Sequence, residues 1–306
     1  MFKIKNFDNW IEDTESGKFG SGASEKIWLI NPKTKEKGIF KFPKVRSDGT
    51  ITGEYWAEKL ATEIGKLIDI ECARVDIGTY KGRIGSMSYN ILDDITSLTE
   101  GVEFILGKYP YYNKNKLLDE YSGDKYSIQM IENSLPETIE MKKILQMSIF
   151  DCLIGNSDRH HSNWGEINSM DYKEHYFIFH WDISPLYDNG SSLCSYINES
   201  DIDIILKDNM KYEAIINTKS KSTIGWKNTR PIRHFELITN IRNTYYDDTI
   251  DFVENIKEKV NEESIENILC NFYNDIISKK MKNLLRKFII DRKNRIINIY
   301  NLDSGV

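Results

Sequence analysis

The spacing of apolar residues changes character along this chain, and that change limits the folds open to it. In roughly the first ninety residues they come in short runs bounded by turn chemistry. GSGASEKIWLI is glycine-rich and then apolar at Ile27, Trp28, Leu29 and Ile30. NPKTKEKG supplies a hairpin turn, and GIFKFP reads as a second strand. From Glu54 the period becomes helical, with Trp56, Leu60, Ile64 and Leu67 three or four positions apart. ARVDIGTYKG and RIGSMSYNIL then read as two more strands joined by a turn at Tyr80–Gly82. The order is β-β-α-β-β.

After Asp93 the pattern is mostly helical. A helix is predicted from about Pro136 to Ile154 on Ile139, Ile144, Leu145, Ile149 and Leu153, with Pro136 suited to a first turn. HYFIFHWDI, His175 to Ile183, reads as a strand. Amphipathic helices are predicted over Phe252–Val260, Ile265–Ile277 and Met281–Tyr300. The whole predicts an α+β chain: a small β-rich N-lobe with one helix over 1–92 and a larger, mostly helical C-lobe over 93–306. A ligand is expected in the cleft between them.

Composition narrows the setting. The 306 residues are 40% hydrophobic and 29% charged, as in an ordinary soluble globular protein. The net charge of −6 argues against broad binding to nucleic acid. No apolar run approaches the roughly 18 residues of a membrane span, and MFKIKNFDNW lacks the apolar core of a signal peptide. Cys72, Cys152, Cys194 and Cys270 form no C-x-x-C pair, which fits free thiols in a reducing cytoplasm. Abundant Lys, Ile and Asn match an AT-rich bacterial coding sequence. KKMKNLLRKFIIDRKNR, with apolar residues at Ile277, Met281, Leu284 and Phe288, reads as a packed helix with a solvated basic face.

The chemistry concentrates in GNSDRHHSNWGEI, Gly155 to Ile167. Asp158 and Asn163 stand five positions apart after an apolar helix, the spacing of phosphoryl-transfer catalytic loops. A tight loop of that length aims an aspartate, which accepts the proton of the attacking hydroxyl, and a metal-holding asparagine at one point. HWDISPLYDNGSS supplies Asp182 and Asp188 past a strand as candidates for the second metal ligand. The bland reading of Asp158 and Asn163 is a surface turn, but the companions occur in kinase order. GSGASEK can cover phosphates. Lys41 lies among Ile39, Phe40 and Phe42, where an unpaired ammonium is costly, and Glu54 or Glu58 can pair with it. His160, His161, His175 and His180 come with no H-E-x-x-H or C-x-x-C, which argues against a histidine metal site.

These segments resemble the HipA-type serine/threonine kinases over about residues 17 to 190. GNSDRHHSN and SPLYDNGS are similar to that family's GNxDxHxxN loop and its later PxYD in place of DFG. GSGASEK resembles its Gly-x-x-Glu-Lys segment and GIFKFP its lysine strand. GEYWAEKLATEIG resembles its Glu-led helix and picks Glu54 over Glu58. The resemblance implies transfer of the γ-phosphoryl of ATP to serine or threonine of a protein. Asp158 would be the catalytic base, and His160, at the histidine of D-x-H-x-x-N, would line the active site. Asn163 and Asp188 would hold Mg2+, and Lys41, steadied by Glu54, would contact the ATP phosphates. Gly20, Ser21, Gly22, Ala23 and Ser24 would cover those phosphates, while Asn90 and Ile91 would read the adenine edge. Family members autophosphorylate in the glycine loop, which makes Ser21 or Ser24 the expected site.

The chain also departs from the family pattern. Its glycine loop begins near residue 20, so it resembles short forms, including split toxin systems in which another protein supplies an N-terminal subdomain. An antitoxin or such a separate subdomain is therefore an implied partner, and a translation-linked protein an implied substrate. His161 and Ser162 stand where many kinases keep a lysine, with Lys26 or Arg159 as compensating cations. The setting read from the residues is cytoplasmic, with host-directed secretion also open. Three other readings stay open. DRHHSN also fits the D-R-H-x-x-N of phosphoinositide kinases, a small-molecule kinase shares the fold space, and a pseudokinase would use the same shape for binding.

Overall fold

The computed structural model describes residues 1–14, 25–93, 95–173 and 176–302. A six-stranded sheet gathers β1 (Lys5–Asn6), β2 (Ile11–Glu12), β3 (Lys26–Ile30), β4 (Lys37–Lys41), β5 (Val75–Tyr80) and β6 (Arg83–Tyr89) in the order β1-β5-β6-β4-β3-β2. Helix α1 (Glu54–Leu67) is inserted between β4 and β5. The expected β-β-α-β-β is β3-β4-α1-β5-β6. Strands β1 and β2, two residues each, are too short to show a period.

Register decides what this sheet presents. Lys26 pairs with Lys41 and Trp28 with Ile39, while Ser86 and Ser88 oppose Lys41 and Ile39 from the other side. Side chains alternate along a strand, so these six share one face. Phe40 and Met87 point the other way, where they join Phe7, Leu29, Phe42, Tyr80 and Tyr89 in a small aromatic core. The α1 residues Ala57, Leu60, Ala61 and Ile64 instead belong to the large core of the helical part.

That part contains β7 (Thr96–Glu100), α2 (Gly101–Lys108), the small hairpin β8 (Tyr112–Asn113) and β9 (Leu118–Asp119), and α3 (Ile128–Ser134). It continues with α4 (Met141–Ile154), β10 (Gly165–Lys173), β11 (Tyr176–Ile183), α5 (Ile202–Lys207) and α6 (Asn209–Glu213). After β12 (Lys221–Ser222) and β13 (Ile232–Arg233) come α7 (His234–Thr244), α8 (Tyr246–Lys259), α9 (Glu262–Leu269) and α10 (Lys279–Ile299). His175 lies outside the described residues, and strand β11 matches the expected strand from Tyr176 to Ile183. Its partner β10, GEINSMDYK, carries too few apolar residues to announce itself, yet it is the central strand of the sheet β11-β10-β7.

Two helix boundaries differ from expectation. Helix α4 begins at Met141, because Pro136 closes a turn with the Ile139 N–H instead of opening the helix. Helix α9 stops at Leu269. Phe272, Ile276 and Ile277 reach the core through turns, although their spacing imitates a continued helix.

Helix α10 lies against α4, α5, α7, α8 and α9. Its apolar stripe is buried as expected, but the position four residues after Phe288 is Arg292, which is fully buried. Arg292 donates to the carbonyls of Cys152 and Ile216, both at 2.5 Å, and lies over the rings of Phe235 and Phe288. A guanidinium at the carbonyl end of α4 meets the negative end of the helix dipole. It therefore anchors the turn from which GNSDRHHSN emerges.

His234 fastens the same turn, through Nε2 to the Asn156 carbonyl at 2.8 Å and through Nδ1 to Ser220 Oγ at 3.0 Å. Burial, and next the charge of Arg292, pushes this imidazole down to about 3. An unfolded histidine titrates near pH 6.5, so below that pH the unfolded chain takes up a proton that the folded chain refuses. Stability due to this group is therefore present above about pH 6.5 and is lost as pH falls toward 3, at about 1.4 kcal/mol per pH unit. Urea unfolding at pH 7 and pH 5 should differ by about 2 kcal/mol from His234 alone. That share should vanish in His234→Gln, and an unchanged pH slope in the variant would refute the assignment.

Candidate active site

Helix α4 ends at Gly155, which takes the left-handed conformation with φ 69°. A Cβ there would also stand 2.8 Å from the Phe288 ring, so both backbone and packing require glycine. The chain then folds on itself. Asn156 donates to Asp151 Oδ1 at 3.0 Å and accepts the Asp158 N–H at 3.0 Å. The Asp158 carbonyl receives the His160 N–H at 2.8 Å and the Asn163 side-chain amide at 2.7 Å. The five-residue spacing thus closes a ring that turns both Asp158 and Asn163 toward a cleft of about 740 Å³. With its nitrogen spent on Asp158, the Asn163 carboxamide keeps its oxygen for a ligand.

Lys41 and Asp188 line the same cleft. Lys41 Nζ donates to Asp188 Oδ1 at 2.9 Å and lies 3.7 Å from Glu58 Oε1. Burial would lower the Lys41 ammonium, but Asp188 and then Glu58 hold it above its ordinary value. Lys41 in turn pushes the Asp188 carboxyl down to about 2. Asp188 sits at φ 58°, a left-handed conformation that aspartate adopts more readily than most non-glycine residues. Asp182, the rival metal ligand, projects from β11 with an exposed side chain 3.7 Å from Lys143 and does not line the cleft.

The expected pairing of Lys41 with Glu54 is not formed. Glu54 accepts from Tyr196 Oη at 2.6 Å and pairs with Lys44 at 3.2 Å. Residues 42–53 bring the chain back from β4, so the first turn of α1 overhangs that return and the second turn faces the strand lysine. Glu58, one turn further on, is buried and also accepts the Asn189 N–H at 3.0 Å.

Arg159 is the hub of the site and is buried. It donates to both Asp151 oxygens, at 3.0 and 2.8 Å, and to the Asn163 and Tyr187 carbonyls, both at 2.8 Å. It also reaches Asn189 Oδ1 at 2.6 Å. One side chain thus ties α4, the loop of Asp158 and the loop of Asp188 together. It is not the compensating cation considered from the sequence. An aspartate within the apolar run of α4 was the signal that a buried cation had to be found.

His160 lines the cleft, and its Nδ1 accepts the Ser162 N–H at 3.2 Å. Desolvation raises the Asp158 carboxyl, with His160 opposing it most. His161 shares a hydrogen bond with Tyr112 at 3.0 Å, and burial pushes it down to about 4, so it stays neutral. Lys26 also lines the cleft, and the positive charge of that lysine acts on Asp188. A second cavity of about 510 Å³ continues from Lys41, Asn163 and Asp188 to Ile39, Asn90, Ile91 and Leu98. The Asn90 N–H is already taken by the Lys37 carbonyl at 2.9 Å, so its backbone can offer a ligand only its carbonyl. Gly20, Ser21, Gly22, Ala23 and Ser24 lie outside the described residues. Among the described residues no helix is long and apolar enough to cross a membrane.

No family model matches the chain. It is 24% identical over 291 residues to the serine/threonine-protein kinase CtkA of Helicobacter pylori, covering 92% of this chain and 83% of that one. The crystal structure of the Helicobacter pylori proinflammatory kinase CtkA superposes with a TM-score of 0.78 at 21% identity, over 99% of this chain and 100% of that one. HipA in the Shewanella oneidensis complex of HipA, HipB and operator DNA gives a TM-score of 0.53 at 12% identity, over 94% of this chain and 68% of that one. The chain is therefore a homologue of the kinase CtkA and has the α+β, HipA-like kinase fold.

Proposed function

We propose that the chain is an ATP- and magnesium-dependent kinase that phosphorylates serine or threonine of a protein. The observation that carries this reading is the convergence of Lys41, Glu58, Asp158, Asn163 and Asp188 on one cleft that opens into a partly apolar cavity against β4 and β6. Homology to a serine/threonine-protein kinase supports a protein acceptor.

The donor set fits the nucleotide and its metal. Among the described residues no three His, Cys, Asp or Glu side chains form a self-sufficient metal cage. Magnesium shared with nucleotide phosphates needs only one or two protein oxygens, and the Asp188 carboxylate and Asn163 carboxamide supply them. When bound, ATP brings the γ-phosphoryl group and magnesium offsets the charge on its phosphates. Asp158 orients the acceptor hydroxyl and takes its proton. Lys41, held charged by Asp188 and Glu58, meets the phosphates with little reorganisation. Asn90 and Ile91 border the space for the adenine.

Labelled ATP incubated with the chain and a cell lysate should mark protein bands that Asp158→Asn does not. Label moving only to lipid or small molecules would overturn the protein-kinase reading. Glu58→Gln is expected to raise the ATP KM on the order of tenfold, through loss of a charge-assisted contact to Lys41. Glu54→Gln, one turn away, should change it less than about twofold, and equal effects would contradict the pairing. Ser21 or Ser24 is the expected autophosphorylation site, and mass spectrometry after incubation with ATP that finds neither modified would overturn this. An antitoxin-type partner, as HipB is in the HipA complex, belongs to the same proposal.

A further inference from the structure

Beyond Asp158 the cleft continues away from the nucleotide cavity to Lys114, Thr223 and Arg230. Arg230 Nε donates to the Thr223 carbonyl at 2.8 Å, and Thr223 Oγ1 donates to the Ser157 carbonyl at 2.5 Å. Two hydrogen bonds therefore tie this guanidinium to the residue before the candidate base.

Its surroundings are unusual for an arginine. Arg230 is half-buried, yet among the described residues no carboxylate makes an ion pair with it. Nearby groups that act on its charge are the phenols of Tyr112 and Tyr126. Its two amino groups have no protein acceptor among the described residues. Two other cations of the cleft have carboxylates: Lys41 has Asp188 and Glu58, and Lys44 has Glu54. Lys26, on the nucleotide side, has no ion pair among the described residues but feels the charges of Asp188 and Glu100. Lys114 is 3.7 Å from Glu103, and both side chains are more than half exposed, so Lys114 is free to turn toward a ligand. A desolvated guanidinium without an anion is costly, and its planar fork matches a carboxylate or phosphate.

We propose that Arg230, with Lys114 at the rim, forms an anion subsite that receives a carboxylate or phosphate group of the protein substrate close to the acceptor hydroxyl. This assignment of substrate class rests on the kinase reading. The chain selects acceptor serines or threonines that have an acidic or already phosphorylated neighbour.

The test uses the full chain, Mg-ATP and serine-acceptor peptide libraries in which each flanking position is in turn Asp, Glu, phosphoserine, Ala or Lys. One position should favour an acidic residue over Ala by about tenfold in kcat/KM, as expected for charge-assisted hydrogen bonds. Arg230→Gln should reduce that preference to near unity. Stronger selection of Asp and Glu assigns the group as a carboxylate, and stronger selection of phosphoserine assigns it as a phosphate. Phosphorylation without acidic preference, or a preference that survives Arg230→Gln, overturns the subsite. A second measurement needs neither a variant nor turnover. Inorganic phosphate, but not chloride at equal ionic strength, should protect Arg230 of the wild-type chain from phenylglyoxal, read by peptide mass spectrometry. Protection without any phosphoryl transfer counts against the kinase reading and for the anion site. Transfer without protection counts against the anion site alone.

Discussion

Asp158→Asn is expected to lower phosphoryl transfer by about 10³-fold, within the range attributed to a positioned general base. The melting temperature should stay within about 2 °C, as for a substitution that removes no structural contact. No described residue donates a hydrogen bond to the Asp158 carboxylate, and the bonds that shape its loop run through its backbone. The amide therefore removes the proton acceptor and little else. ATP binding should survive, because Lys41 and Asp188 are untouched. The measurement is initial-rate transfer of labelled phosphate beside nucleotide binding on the same preparation. A variant that keeps more than a tenth of the wild-type rate would remove Asp158 from the role of base.

The largest stability effect is expected at Asp151. Its carboxylate and the Arg159 guanidinium are 2.8 Å apart, with side chains 3% and 1% exposed. Asp151→Ala strands a charge inside the protein, and breaking a buried pair in this way costs about 3–5 kcal/mol. That is a large part of the 5–15 kcal/mol, roughly, that holds a typical protein folded. Urea unfolding should show it, and a loss below about 1 kcal/mol would deny the pair its structural role. The double variant Asp151→Leu with Arg159→Met should recover only part of the stability: the apolar pair carries no desolvation cost, but the Asn163 and Tyr187 carbonyls, Asn189 Oδ1 and the Asn156 amide lose their partners. It should not recover phosphoryl transfer, because no guanidinium then holds the Asn163 and Tyr187 carbonyls and the Asn189 side chain together. Recovery of both would make Arg159 a matter of stability alone.

Local patterns in the chain were enough for the elements that bear the chemistry. The strand of Lys41, the helix after it and the loop of Asp158 and Asn163 were legible because period and spacing are short-range properties. Strands β1 and β2 were too short to read, β10 too polar, and the stretch after Leu269 carried helical spacing through turns.

The choice of carboxylate for Lys41 shows where such reading stops. Glu54 and Glu58 lie one turn apart on the same helix face, and sequence cannot tell which turn faces the lysine. The length of the return from β4 and the seating of α1 on the large core put Glu58 there. Resemblance alone had favoured Glu54.

By itself, then, the sequence determined the β-β-α-β-β order around Lys41, the five-residue spacing of Asp158 and Asn163, and the types of side chain that a phosphoryl-transfer site requires. These follow from contacts a few residues apart. Only the tertiary structure decided the partners of the buried and half-buried arginines. Arg159 meets Asp151 and Asn189, Arg292 meets the end of α4, and Arg230 faces the cleft without an anion among the described residues. A long cationic side chain gains or loses a partner according to what distant segments bring beside it, and burial makes that difference large.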